Sequence, residues 1–315
     1  MGFNYNSGYG QLNQATPFLG GGQVFVVAKS AAAGREILQQ VFKSDPLGNL
    51  RYYATVQAAV DECVASRGDV IYVAPGHTET VTATSLDLET AGITIINLGS
   101  GALAPTYTFG AAAATIDVSA ANITWIGGLL VANFLDVASA FTIGTAANFH
   151  LDGAKFEDNT ASLNFLSCVT TSAVANEADG LKVLNCFQYG LNTTPLAFVS
   201  ILEDQLDVEI SGNTCDQAAT ADVGHFLTLS SKDILGARIR DNVLTVVGSA
   251  GAAVGIFLTG SGSSSTGDVS RNYVSSLDTT GELIATAGTG LVYFENYYTG
   301  VADKSGKLWP IVDAA

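Results

Sequence analysis

The chain has 315 residues, 48% of them hydrophobic, so it can bury a large core; only 13% are charged, and Gly (34 residues), Ala, Ser and Thr are abundant. Its formal charge of −16, from 13 Lys+Arg against 29 Asp+Glu, excludes nucleic-acid binding by the general surface, which needs clustered cations to release counterions. No apolar run approaches the 18 residues of a membrane span, and the composition suits stacked short strands with tight corners better than helices.

Residues 1–22 are rich in Gly, Asn and Gln and end in Gly20-Gly21-Gly22, so they read as an extended arm that orders on a partner surface. Met1 to Ser7 carries neither a basic stretch nor an apolar one, so no secretory leader is expected there. Gln23 to Lys29 (QVFVVAK) is a strand. Ser30 to Leu50 is ambiguous, with a short helix over Arg35–Phe42 and a turn at Asp45-Pro46-Leu47-Gly48 as its reading. We place the arm and anchoring segment in 1–50.

Thr55 to Ser66 (TVQAAVDECVAS) is the clearest helix: Thr55 is the expected N-cap, and Val56, Ala59, Val60, Cys63 and Val64 share one face. Gly68 ends it. Asp69 to Ala74 then forms a buried strand closed by Pro75-Gly76. A solenoid must cover its first apolar layer, and this helix is expected to cap the stack.

From there the chain repeats with little identity. Segments ending near an asparagine place Asn185, Asn213, Asn242, Asn272 and Asn296 at separations of 28, 29, 30 and 24 residues. Between them run segments led by Phe141, Phe165, Phe198, Phe226, Phe257 and Leu283, at 24, 33, 28, 31 and 26. Two series with one mean period predict an all-β fold: a right-handed, single-stranded parallel β-helix of seven or eight coils over residues 51–298. Each coil would hold about three strands, its inward residues lying over their equivalents in the next coil at roughly 4.8 Å. Asparagine suits such a corner because it tolerates left-handed dihedrals and its amide can bond up the stack. The competing reading is an antiparallel sandwich. Residues 299–315 break the pattern, and Trp309-Pro310-Ile311-Val312 is expected to cover the last coil or meet a neighbouring subunit.

Chemistry is thinly signalled. Glycoside hydrolysis needs two facing carboxyls about 5 to 9.5 Å apart; the weak candidates are Glu203 with Asp204, Asp207 with Glu209, Asp241, and Glu157 with Asp158. Each lies near a strand end or turn, where acids usually solvate a corner. Arg238 and Arg240 alternate onto the outer face beside Glu209 one coil below, which a cross-coil charge pair explains. His77, His150 and His225 are scattered, and no metal-ligand spacing, nucleophile elbow or phosphate loop is present. No cofactor and no metal are expected. Cys63, Cys168, Cys186 and Cys215 lack zinc spacing, and three of them fall in strands as small apolar residues.

The segment TVQAAVDECVASRGDVIYVAPGHTETV (55–81) resembles the opening of many right-handed β-helix proteins of the pectin-lyase-like kind, and the Asn-terminated rungs extend the likeness to about residue 298. With a Gly/Asn-rich arm and low charge, the chain looks like the small β-helix proteins of bacteriophage particles, such as capsid decoration proteins or head spikes, and more loosely like tailspikes. Tailspike depolymerases generally carry a large head-binding domain and C-terminal modules, for which this chain has no room. The resemblance implies a non-enzymatic structural protein made in the host cytoplasm and placed on the outer surface of the virion. It also implies a homotrimer attached through residues 1–22 to the major capsid protein or another virion protein. The alternative it implies is a tailspike-like protein that binds or degrades a host surface glycan, with Glu203, Asp204 and Asp241 as its acids.

Overall fold

In a computed structural model the chain is described for residues 22–29, 36, 40, 44, 48, 50–83, 85–192, 195–218, 224–246, 255–261, 264–276, 290–299 and 306–307. Residues 1–21 of the expected arm, the Arg35–Phe42 helix apart from Glu36 and Gln40, Leu283 and the Trp309–Val312 patch lie outside these residues, as do the side chains of His225 and Phe257.

Strands too short to pair with their own neighbours in sequence pair instead with the same strand of the next turn. His150–Asp152, Lys155–Asp158 and Phe165–Thr171 make up one such turn. They belong respectively to a first sheet of eleven strands, a second of ten and a third of seven. Every pairing between turns is parallel, which excludes the sandwich, and about eight turns stack into a parallel β-helix. Among the described residues one strand runs the other way: Gly306–Lys307 folds back antiparallel on Tyr297–Tyr298 at one end of the second sheet. At the other end Val24–Val27 lies between Tyr52–Tyr53 and Val70–Val73. The stack therefore begins ahead of residue 51.

The capping helix is shorter than its pattern. It spans Val56–Val60, with the Thr55 hydroxyl accepting from the Ala58 N–H and with Val56, Ala59 and Val60 buried. Beyond Val60 a stronger polar demand takes the chain. Asp69 is fully buried, and its carboxylate accepts the N–H groups of Gln23 (2.7 Å) and Val64 (2.8 Å) and two bonds from the Arg67 guanidinium. A buried carboxylate left unbonded costs more than a turn of exposed helix contributes, so residues 61–67 wrap it instead.

The interior alternates as a strand does, and its large rings pack against one another, three of the pairs below edge to face and Phe198–Phe226 tilted. Tyr107 and Trp125 lie 5.1 Å apart, Trp125 and Phe141 5.4 Å, Phe109 and Phe165 5.1 Å, and Phe198 and Phe226 5.4 Å. The phenylalanine series is not one column, however. Phe141 pairs with Val169, while Phe165 pairs with Val137, four positions earlier in its strand. Phe198 falls level with Cys168, and the backbone of Phe226 lies level with Phe198 on one side and Phe257 on the other. Strands of the third sheet differ in length, so equal spacing of their leading residues does not mean equal register.

The asparagine series is corrected at one member. Where the first sheet turns into the second, seven successive coils put one residue at a left-handed φ between 52° and 69°: Gly127, Gly153, Asn185, Gly212, Asp241, Arg271 and Glu295. The residue after it points inward. Asn213, Asn242, Asn272 and Asn296 hold that inward place, each Oδ1 accepting from the neighbouring coil, and each Nδ2 reaching a carbonyl below. Asn185 is one residue early: it is exposed, takes the left-handed place and bonds Asp152 (2.9 Å). Cys186 occupies its inward place and donates its N–H to Asn213 Oδ1 (2.8 Å).

Candidate functional site

Glu203 and Asp204 lie on a different corner from Asp241. Glu203 and Asp204 follow a strand of the third sheet; Glu203 pairs with Lys232 (2.8 Å) and Asp204 Oδ1 accepts the Asp233 N–H (2.8 Å). Asp241 sits at the corner from the first sheet to the second, where Arg271 of the next coil holds both its oxygens at 2.7 Å. That guanidinium keeps the Asp241 carboxyl below the usual carboxylate range. Asp207 takes a left-handed corner (φ 53°), and Glu209 lies 3.8 Å from Lys182. Arg238 is level with Glu209, as the alternation requires, and Arg240 makes a two-bond pair with Asp268. The outer column Lys182, Glu209, Arg238, Asp268 thus alternates in sign up the first sheet.

Of the candidate pair Glu157 and Asp158, it is Asp158 whose environment is strongly altered. Asp158 shares the inward face with Phe156, two residues before it, whereas Glu157 points out. Burial pushes Asp158 up to about 6 against the pull of three N–H donors: Phe165 (2.9 Å), Leu191 (2.8 Å) and Asn192 (3.0 Å). The alternation in Lys155–Asp158 was the available signal. These donors fix the corner between the second and third sheets, and the carboxylate closes a loop rather than facing a groove.

His77 is buried, its Nδ1 accepting the Lys29 N–H (3.0 Å) and its Nε2 3.1 Å from Glu79, which also accepts the Val56 N–H. It ties the first strand to the helix. His150 lines a shallow cavity of about 310 Å³ with Asn122, Thr124, Asn148, Gly180 and Lys182, and its Nε2 is buried without a hydrogen-bond partner. Among the described residues no group of three or more His, Cys, Asp or Glu could hold a metal ion, and no helix is long and apolar enough to cross a membrane. Cys168, Cys186 and Cys215 are buried thiols raised by desolvation, Cys186 to about 12; Cys63 is half-buried and also pushed up to about 12.

The outer face of the second sheet carries few charges. Two outward columns run its length, one residue apart from each other by the inward residue between them. They begin with Thr78 and Thr80, then Thr106 and Thr108, all level with one another. Leu129 and Val131 follow, and above them Lys155 and Glu157. Phe187 and Tyr189 come next, then Thr214 and Asp216. Val243 and Thr245, Tyr273 and Ser275, and Tyr297 and Thr299 complete the face. Tyr189, Tyr273 and Tyr297 are 49%, 38% and 46% exposed, well beyond what a packed ring would show.

Compared with family models, with curated proteins and with solved structures, the chain gives no match.

Proposed function

We propose that the chain is a non-enzymatic structural protein of a bacteriophage virion, a homotrimer that decorates or projects from the capsid and attaches through residues 1–22 to the major capsid protein or another virion protein. The observation that carries this reading is the fate of the acids. Glu203, Asp204 and Asp241 are each engaged by a residue one coil away, and they occupy two corners instead of facing each other across a groove. Charges spent on neighbouring coils stiffen a rod; they do not leave a free acid and a free base for chemistry. The phage assignment itself rests on the sequence resemblance and on the Gly/Asn-rich arm.

The test is co-sedimentation with phage heads that lack this protein. The intact chain binds them as a trimer, and a chain without residues 1–22 remains a folded trimer and stays in the supernatant. Equal binding by both would remove the anchoring role.

A second reading, a tailspike-like protein that binds or cleaves a host glycan, draws on the exposed Tyr189, Tyr273 and Tyr297, since sugars stack on such rings. It predicts release of reducing ends from capsule or lipopolysaccharide, abolished by Glu203→Ala with Asp204→Ala.

A further inference from the structure

The outer face of the second sheet is complementary to itself, level by level. Coils rise at about 4.8 Å, so copies arranged around an axis parallel to the stack, with their coils aligned, set one outward column of each copy against the other column of the next at the same height. On this face that operation places Leu129 against Val131, Lys155 against Glu157, and Phe187 against Tyr189. Aliphatic meets aliphatic, cation meets anion, and ring meets ring. The two levels below set threonine against threonine, and no level brings like charges together.

The other faces are less suited to such a contact. On the first sheet it sets Arg238 against Arg240, and its charges are already matched within the chain. The third sheet stacks Asp87 on Asp117, where burial and the neighbouring carboxylate raise Asp117. Lys155 and Glu157, by contrast, have no ion-pair partner within the chain among the described residues. A pair of opposite charges left open at one level, flanked by an apolar level on each side, is what a charge-registered contact needs.

We propose that copies of this chain associate through the outer face of the second sheet, axes parallel and coils level, in a closed cyclic assembly. This rests on the reading of the chain as a self-associating structural protein, and adds to it the surface and the alignment.

Sedimentation velocity of the intact chain, with circular dichroism to confirm folding, tests it. The wild type sediments as an oligomer; Lys155→Glu, a change at an exposed position, weakens association at least tenfold; Lys155→Glu with Glu157→Lys restores it, because the opposed charges are exchanged between copies. A monomeric wild type at tens of micromolar would overturn the proposal together with the self-association reading. An oligomer indifferent to Lys155→Glu would overturn the surface alone and leave that reading standing. Tighter association of Glu157→Lys alone would overturn the parallel alignment, since a copy inverted about the Phe187–Tyr189 level keeps each column facing itself and sets Glu157 against Asp216.

Discussion

Truncating Asn242 to Ala removes the middle of the amide ladder, and its cost follows from the bonds it makes. Its Oδ1 accepts the N–H and the Nδ2 of Asn213, both at 3.0 Å, and its Nδ2 donates to Ile210 O (2.9 Å) and Asn272 Oδ1 (3.0 Å). Both asparagines are fully buried. Truncation leaves the Asn213 N–H, one Asn213 amide proton and the Ile210 carbonyl without those partners. At about 1–3 kcal/mol for each buried group orphaned, with some relief if a water enters the space, the variant loses about 3–5 kcal/mol. Asn185→Ala is the control. Asn185 is exposed, gives up one bond to Asp152, and places Ala at φ 52°, so it loses about 1–2 kcal/mol, and Asn185→Gly loses less. Urea unfolding followed by far-ultraviolet circular dichroism measures both, and hydrogen exchange at the Asn213 amide reports the rung directly. Should Asn242→Ala cost no more than Asn185→Ala, with the Asn213 amide still protected, the internal ladder does not hold the stack as described.

The remaining predictions concern groups away from the ladder. Asp158 is raised to about 6 from an ordinary 3.8, so the folded chain keeps a proton that the unfolded chain has lost; this group contributes a gain in stability as pH falls from about 6 towards 4, at most about 3 kcal/mol, and Asp158→Asn flattens that part of the pH profile. Arg271→Ala, which breaks an exposed pair, leaves the urea midpoint nearly unchanged, whereas Asp69→Ala, which orphans the N–H groups of Gln23 and Val64 and the Arg67 guanidinium, loses several kcal/mol and exposes residues 61–67 to protease. Ellman's reagent at pH 8 labels Cys168, Cys186 and Cys215 only after denaturation, since each thiol is buried and raised.

The coil repeat, the three strands per coil and the Thr55 cap were legible because each depends on a local pattern: period-two burial, turn residues and an N-cap hydroxyl. The misplacement of Asn185 has a specific cause. Two adjacent corner positions both favour asparagine, one for its left-handed backbone and one for its inward amide, and spacing alone does not say which is filled. In the segments around Asn213, Asn242, Asn272 and Asn296 the asparagine follows the left-handed residue, while in Leu184-Asn185-Cys186 it is that residue. The helix over 55–66 was half right because its apolar face is real to Val60, but the buried Asp69 claims the rest of the segment through contacts that span the fold. The candidate acids were visible, yet their partners, Lys232 for Glu203 and Arg271 for Asp241, lie about one coil away, a distance in sequence that only register converts to contact. The matched columns of the second sheet depend on that register at every level.

Everything above depends on coils stacked in register at a constant rise, and distances between spin labels measure that rise directly. In a Cys63→Ser background, diluted with unlabelled chain, a label at Val292 is paired in turn with one at Lys182, His150 or Thr124, which lie four, five and six coils below it in one column. The account predicts backbone separations of about 19, 24 and 29 Å, growing by about 4.8 Å per coil. Separations that do not increase in that order, or that increase by unequal steps, would contradict it.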